Sequence, residues 1–244
     1  MVDGDRRSAV GGRENGHLNT VHLNSVHYTE AVAEMESAAP RRHSRDDVAR
    51  TALRILDDYG LPDLTMRRLA AALDVQPSAL YWHFANKQTL LAELADRIVA
   101  RAVTADAGTP TGEEGKPDPT DWRDAVRREA AALRDALLAY RDGAEVVSST
   151  LALGLGSTLA LDRLAGAVSL GGFDDGTARR AGTALLHFVL GHVSHEQQRL
   201  QYDSLGVLAV GPDASPLEED DPAAAFAFGV GLLVDGLEFS RSRR

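Results

Sequence analysis

The chain of 244 residues contains no cysteine, so disulfide bonds and thiolate zinc sites are excluded. Aromatic residues make up only 5% of the chain, which disfavours sheets, whereas Ala and Leu are abundant and favour helices. No apolar run approaches the ~18 residues needed to span a bilayer. The N-terminus also lacks the basic-then-apolar layout of a secretory signal. We therefore expect a cytoplasmic protein with no membrane partner.

The sequence also lacks the motifs that mark common enzymes. It has no Gly-x-Ser-x-Gly elbow, Walker loop, HExxH or paired-cysteine motif. The only serine beside a histidine in an activating context is Ser194, next to His195, which is a weak signal. A small helical hydrolase is therefore the less favoured alternative, and we expect that the protein is not an enzyme.

The net charge of −10 argues against a nucleic-acid partner when the whole chain is considered. Its distribution is uneven: residues 41–101 contain ten Lys/Arg and eight Asp/Glu, a local charge of +2, so the remainder carries −12. A weakly basic segment permits DNA binding without demonstrating it.

Residues 1–40 are rich in Gly, Asn, His and Ser and have no sustained helical period, which predicts a disordered tail. They contain a repeated His-Leu-Asn motif at His17 and His22, but no spacing typical of a metal site. An alternative hypothesis is that translation starts at Met35 and that the preceding residues are translated promoter DNA containing an inverted repeat. The codons of the gene would decide between these interpretations.

From residue 44 onward the apolar residues repeat at helical spacing and no strand-like alternation occurs, which predicts an all-α fold. A breaker-rich stretch at 108–119 predicts a mobile connection, and residues 203–221 predict an acidic loop. Ser44, Thr65, Asn86 and Thr120 are expected helix caps. In the N-terminal part, helices are predicted at 44–59, in a short segment after Thr65, at 76–84 and at 86–103. A further helix is predicted from 120 through Leu137, followed by short helical segments up to Leu170. The last two predicted helices cover 177–200 and 222–239.

Two short helices joined by a tight turn and braced by longer helices indicate a helix-turn-helix. The second short helix must fit a major groove about 12 Å wide, so its exposed side chains must be small or able to form hydrogen bonds. Tyr81, His83 and Lys87 are placed where polar tips reach phosphates, and Arg67 where a cation faces the DNA backbone. The predicted DNA-binding residues are Thr65, Arg67, Gln76, Ser78, Ala79, Tyr81, His83 and Lys87.

The stretch from Thr65 to Leu91 resembles the signature of the tetracycline-repressor family of transcriptional regulators, above all in Leu80-Tyr-Trp-His-Phe-x-Asn-Lys87. The resemblance implies that all of the predicted DNA-binding residues except Thr65 face DNA, with Ala79 standing where the family often has a hydroxyl residue. It also implies a helix-turn-helix domain at 41–103, a larger helical ligand-binding and dimerisation domain at 104–244, and a homodimer on a palindromic operator.

The larger domain also resembles that of the family's namesake repressors, in Leu137–Ala144, in His187–Gly191 and in Glu196-Gln-Gln198. This resemblance implies a helical ligand pocket, and a dimer interface made by the 177–200 helix and the C-terminal helix. The small residues at 223–231 fit such an interface, although internal packing explains them nearly as well.

Most residues that bind tetracycline and its metal ion in the family are replaced at the matching positions of this sequence. The position of its metal-binding histidine matches Val147, and a second drug-contacting histidine matches Val103. Carboxamide positions match Glu129 and a site near Arg163, a phenylalanine position matches Leu133, and only Thr150 keeps its type. Valine cannot ligate a metal, so we expect an inducer other than tetracycline–magnesium, and no metal or other cofactor.

A mostly apolar pocket with a few polar anchors is expected instead. His187, His192 and His195 are interpreted as interior or interface histidines, with a ligand anchor as the alternative. The predicted ligand-binding residues are Trp122, Glu129, Leu133, Leu137, Val147, Thr150, His187 and His192.

Together these features predict a repressor that binds double-stranded operator DNA and is released by a small, largely apolar inducer. We expect the helix from Lys87 to Val103 to transmit the effect of ligand binding, because it joins the ligand pocket to the DNA-binding domain. The alternative is a DNA-binding regulator that has no small-molecule ligand, and it predicts a filled interior in the larger domain.

Overall fold

The computed structural model describes residues 43–106, 121–206 and 221–242, and every regular element in these ranges is a helix. The all-α prediction is confirmed. The predictions for the N-terminal tail, the 108–119 connection and most of the acidic loop lie outside the described residues. The helices are α1 Arg45–Tyr59, α2 Met66–Ala72, α3 Pro77–Leu80, α4 Lys87–Asp106, α5 Trp122–Leu138, α6 Gly143–Ala152, α7 Leu159–Ser169, α8 Asp175–Ser204 and α9 Pro222–Ser242.

Helix α1 begins at the predicted Ser44 cap, and the structure shows that this cap is reciprocal. The backbone N–H of Asp47 donates to the Ser44 hydroxyl (3.1 Å), and the N–H of Ser44 donates to the Asp47 carboxylate (2.9 Å). The apolar face of α1, including Val48, Ala52 and Leu56, is buried. The helix ends at Gly60, whose φ of +83° lies in the region that favours glycine.

Helices α2 and α3 form the predicted helix-turn-helix, but α3 is shorter than the predicted 76–84. The hydroxyl of Thr65 accepts from the N–H of Arg68 and caps α2, and Pro77 opens α3. After Leu80 the chain forms a turn in which the N–H groups of both His83 and Phe84 donate to the Leu80 carbonyl (2.9 and 3.0 Å). This turn places the Phe84 ring in the core at 1% exposure, directly before the next helix.

Helix α4 begins as predicted at an Asn86 cap, whose side-chain oxygen accepts from the N–H of Thr89 (2.8 Å). It packs against α1 near its start and against α5, α6 and α7 along its length. The described residues from 43 onward belong to one compact unit. The predicted domain boundary at residue 103 is therefore not marked by a gap in packing, and it stays a prediction.

The larger domain is a bundle of α5 to α9. The predicted Thr120 cap of α5 is wrong: the cap is Asp121, whose carboxylate accepts from the N–H of Arg123 (2.9 Å). Helix α8 is longer than the predicted 177–200, since Asp174 caps it by accepting from the N–H of Thr177 (3.0 Å). It packs against α5, α6, α7 and α9.

Helix α9 continues three residues beyond the predicted end at Phe239. Its 21 residues are long and apolar enough to cross a membrane by length and composition alone, so the expectation that no apolar run approaches this length is wrong. A single helix of this kind is weak evidence for a membrane span. One of its faces packs on α5 and α8 through Phe226, Val230 and Val234, which are buried. Its other face carries Phe228, Leu232 and Phe239, which are all more than half exposed.

Candidate DNA interface and regulatory interior

Helix α3 has one buried side and one open side. Leu80 is 1% exposed and packs in the core. Gln76 and Ser78 are exposed on the open side, and Ala79 is half-buried between the two. The predicted base-reading residues therefore belong to a surface whose side chains are small or carry hydrogen-bonding groups.

The turn after α3 carries the most exposed large apolar side chain among those described. Trp82 is 89% exposed, and its neighbour Tyr81 is 51% exposed. His83 is half-buried beside them. The sequence prediction included Tyr81 and His83 but missed Trp82. The signal was available, because Leu80 and Phe84 mark the core face and a residue midway between them points the opposite way on a helical projection.

Helix α2 contains two adjacent arginines, of which Arg68 is engaged in contacts within the protein and Arg67 is exposed to solvent. Arg68 pairs with Asp63 and its guanidinium lies 3.8 Å from the centre of the Tyr59 ring. Arg67 is exposed, and no ion pair within the described ranges holds it. Arg67 is therefore free to meet a phosphate. The Lys87 ammonium lies 3.5 Å from the Leu61 carbonyl, and the Thr65 hydroxyl is engaged in capping α2.

An ion-pair network anchors the turn after α3 to helices α1 and α4. The Arg45 guanidinium donates to the His83 carbonyl (2.6 Å), pairs with Glu93 (2.9 Å) and lies 4.1 Å from the centre of the Phe84 ring. Arg97 joins Glu93 to Asp46. Burial opposes ionisation of Glu93, but the hydrogen bonds from Arg45 and Arg97 outweigh it and hold the pKa of Glu93 below its ordinary value. These charged groups therefore support the reading surface, which is the exposed side of α3 together with Arg67 and the turn from Tyr81 to His83.

The predicted ligand-binding residues do not converge on one open cavity. Val147 and Thr150 line a space against Ala95 and Val99 of α4, but its volume is only about 10 Å³, room for no more than one water molecule. On its wall, the Asp96 carboxylate accepts from the N–H of Ser157 (2.7 Å), which ties α4 to the loop before α7. The interior at this point is closed.

Glu129 and Leu133 lie on α5 but do not share that space. Glu129 forms a two-pronged ion pair with Arg163 of α7 (2.6 and 2.8 Å), with both side chains about one-fifth exposed. Leu133 and Leu137 are buried core residues. The residue expected at one carboxamide position, Glu129, is thus held in a salt bridge with Arg163.

Trp122 is placed at the outer end of α5. Its ring meets Phe173 edge to face with centroids 5.2 Å apart, and Gly171 leaves room for it, because a Cβ there would lie 2.8 Å from the indole. The indole N–H is buried and has no hydrogen-bond partner among the described residues. Trp122 is separate from the space beside Val147.

The predicted histidines occupy two further places. His187 is exposed at a shallow cleft of about 300 Å³ that Glu145, Ser148 and Ser194 also line. His192 packs between Phe188 and Phe226, with its Nε2 3.3 Å from the Pro222 carbonyl. Over the described ranges, no three His, Asp or Glu side chains are grouped as a metal site would need.

The glycines of α9 separate the two explanations of its small residues. A Cβ at Gly229 would lie 2.3 Å from the Phe188 ring, so this glycine serves packing between α8 and α9. A Cβ at Gly231 would meet no atom of the described residues within 4 Å. Gly231 is partly buried beside the exposed Leu232, and packing among the described residues does not explain it.

The fold and the braced, open helix α3 define a helix-turn-helix DNA-binding regulator. Residues 49–94 match the family model of bacterial regulatory proteins of the tetR family, and residues 114–241 match that of the tetracyclin repressor-like C-terminal domain. The chain belongs to the TetR family of transcriptional regulators.

Among its relatives, the class C tetracycline repressor protein of Escherichia coli is 37% identical over 210 residues, which cover 81% of this chain and 91% of that protein. Mycobacterium smegmatis BioQ is 40% identical, with a TM-score of 0.66 over 80% of this chain and 97% of that one. BioQ has also been solved with its natural double-stranded DNA operator (TM-score 0.61). A TetR variant from Acinetobacter baumannii AYE in complex with minocycline is 31% identical, with a TM-score of 0.61 over 82% and 98% of the two chains.

Proposed function

We propose that this protein is a ligand-responsive transcriptional repressor that binds a palindromic operator as a homodimer and is released by a small, largely apolar inducer. The observation that carries the proposal is the open side of α3, braced at its end by Arg45 on the His83 carbonyl. The protein acts by binding rather than by catalysis, and it works in the cytoplasm, where its DNA lies.

The reading surface divides into base-reading and phosphate-binding parts. Gln76 and Ser78 offer hydrogen-bonding groups to base edges in the major groove, and Ala79 offers a methyl group to thymine. Arg67, Lys87 and the polar tips of Tyr81 and His83 bind phosphates and set the register. Trp82 joins this second group, because an indole that is 89% exposed has an N–H free to donate to a phosphate oxygen. Thr65 acts by capping α2 beside Arg67.

The dimer forms through the uncovered sides of α8 and α9. The outer face of α9 carries three exposed apolar side chains, Phe228, Leu232 and Phe239. A face this apolar is typical of a protein interface rather than of a surface in contact with water. A two-fold axis through this surface relates the two subunits. Their two copies of α3 must lie about 34 Å apart to enter successive major grooves.

The inducer differs from a tetracycline–magnesium complex. Val147 offers no metal ligand, and Glu129 is committed to Arg163. The space beside Val147 and Thr150 is apolar on most sides and touches α4, so a ligand that enlarges it displaces the helix that leads to the reading surface. Such a ligand is small and mostly apolar.

A regulator without a small-molecule ligand is the second candidate. The closed interior beside Val147 favours it, since a filled core needs no inducer. Thermal unfolding of the purified dimer against a panel of apolar compounds separates the two candidates. Ligand-responsive repression predicts a compound that both raises the melting temperature and releases operator DNA, whereas the second candidate predicts none that does both.

The test of the proposed function is a gel shift with DNA from the gene's own upstream region, with unrelated DNA as competitor and at two salt concentrations. The expected result is selective, salt-sensitive binding by a dimer. Arg67→Ala weakens binding to both DNAs, whereas Gln76→Ala weakens operator binding selectively. The proposal is wrong if a genome-wide selection of fragments also yields no DNA that binds better than the competitor.

A further inference from the structure

The turn between α5 and α6 holds an aspartate in an unusual backbone conformation. Asp142 has a φ of +56°, in the left-handed region that non-glycine residues rarely occupy. The next residue, Gly143, approaches the end of α5 so closely that a Cβ there would lie 2.3 Å from the Leu137 carbonyl. This tight turn aims the Asp142 side chain at the DNA-reading part of the chain.

One oxygen of Asp142 binds the segment between α1 and α2. Its Oδ2 accepts from the N–H of Leu61 at 2.7 Å, and a Cβ at Gly60 would lie 2.8 Å from the same oxygen. Beside it, the N–H of Arg141 donates to the Asp57 carboxylate of α1 (3.3 Å). Leu61 is also the residue whose carbonyl lies 3.5 Å from the Lys87 ammonium. A single residue thus connects the Asp142 turn to a predicted phosphate-binding side chain.

The other oxygen of Asp142 binds α8. Oδ1 accepts from the side-chain amide of Gln201. One turn earlier on α8, the buried Gln197 donates to the carbonyls of Leu137 (3.0 Å) and Tyr140 (2.8 Å) and accepts from the N–H of Ala144 (3.2 Å). Every polar atom of the Gln197 amide group is used in holding this turn. The turn is therefore fixed to α8 by hydrogen bonds that do not involve α4.

We propose that Asp142 is a positioning residue for operator recognition, which holds the α1–α2 segment against α8 and so fixes the angle of the reading helices on the dimer. The proposal rests on the proposed repressor function. Helix α4 is the first connection between the larger domain and the DNA-binding helices. The contacts from α8 through Asp142 to Leu61, and from Leu61 to Lys87, form a second one. Because Asp142 lies on the α5–α6 turn and outside the reading surface, it acts only through the segment it holds.

The test compares Asp142→Gly with Asp142→Asn in the full-length dimer. Glycine keeps the left-handed backbone and removes both acceptors, so it isolates the side chain. Asparagine also tolerates this backbone, and its amide can accept from Leu61 while Gln201 rotates to accept from it. Asp203→Ala, which removes an exposed carboxylate two residues after Gln201, is the control for charge.

Two quantities are measured: amide hydrogen exchange at Leu61, and the ratio of operator affinity to competitor affinity. For Asp142→Gly we expect roughly tenfold faster exchange at Leu61, since a hydrogen bond to a charged acceptor is lost. We also expect a fall of about tenfold in the affinity ratio, with competitor affinity unchanged. Asp142→Asn and Asp203→Ala are expected to stay within about twofold of the parent.

The outcomes separate this proposal from the proposed function. Faster exchange at Leu61 with an unchanged affinity ratio would overturn the positioning role, because the contact would then serve stability alone. A parent protein that selects no operator refutes the repressor function, and the positioning role with it. Unchanged exchange in Asp142→Gly refutes the contact itself, whatever the DNA result.

Discussion

Replacing Trp82 with alanine tests whether the surface around α3 is the DNA-binding surface. With 89% of the residue exposed, only about a tenth of its surface is buried. A tenth of roughly 250 Å² is about 25 Å², so the loss of burial destabilises the fold by about 0.6 kcal/mol at most. The matched control is Phe84→Ala, two residues away and 1% exposed, which is expected to cost about 3–5 kcal/mol.

The effect of Trp82→Ala on DNA affinity is expected to be larger than its effect on stability. A neutral hydrogen bond from the indole to a phosphate contributes about 0.5–1.5 kcal/mol, so operator affinity falls by roughly two- to tenfold. The indole carries no charge, so the slope of log affinity against log salt stays unchanged. Arg67→Ala, in contrast, lowers that slope by about 0.9, since one fewer counterion is released.

The assay is fluorescence anisotropy of a labelled operator at three salt concentrations, beside thermal unfolding of each variant. The intrinsic fluorescence of the parent adds a direct readout, because the other tryptophan, Trp122, is 4% exposed and only Trp82 is open to DNA. Operator affinity equal to that of the parent, in a Trp82→Ala protein of unchanged stability, would refute the placement of Trp82 on the DNA. A changed salt slope would refute the neutral contact.

Three further predictions concern the supporting structure. Gly229→Ala is expected to destabilise the fold by about 1 kcal/mol, since crowding of Phe188 outweighs the gain in helix propensity, whereas Gly231→Ala is neutral or stabilising; chemical unfolding checks both, and equal effects would contradict the packing argument. The hydrogen bonds from Ser44 lower the pKa of Asp47 to about 2, so its contribution to stability is complete above its ordinary pKa near 3.8 and is lost as the pH falls towards 2. Urea unfolding should therefore show Asp47→Asn less stable than the parent at pH 5, with most of the gap gone near pH 2, and a constant gap would contradict this. Glu129→Ala leaves Arg163 without its partner and is expected to cost about 1–2 kcal/mol; removing both side chains should cost less than the two single changes together, and additive losses would count against a coupled pair.

Local signals predicted most of the fold. The caps at Ser44, Thr65 and Asn86 each depend on a few neighbouring residues, and each was predicted correctly. The end of α3 was not, because it depends on Phe84 reaching a core made of distant residues. The same holds for the Asp121 cap, where Thr120 and Asp121 are equally suitable in sequence and only the backbone decides between them.

The DNA surface was more predictable than the ligand site. Gln76, Ser78 and Arg67 are exposed by the local geometry of two short helices, so their availability follows from sequence. The Glu129–Arg163 pair joins residues 34 positions apart, and the Asp142 contact with Leu61 joins residues 81 apart. Pairings of this kind depend on how helices pack, which no local pattern specifies.

If the proposed inducer enters the closed space beside Val147, the closure of that space raises the dose at which the gene responds. When a binding site is open in only a small fraction of molecules, the apparent dissociation constant is the intrinsic one divided by that fraction, so a site open in 1% of molecules binds roughly a hundredfold more weakly. Asp96 accepts a hydrogen bond from the N–H of Ser157 at 2.7 Å, and we expect this bond to favour the closed form. We therefore expect the strength of that one hydrogen bond to tune the threshold concentration of the proposed inducer. Mutations at Asp96 would then shift the response of the promoter along the concentration axis without altering its repressed or fully induced levels.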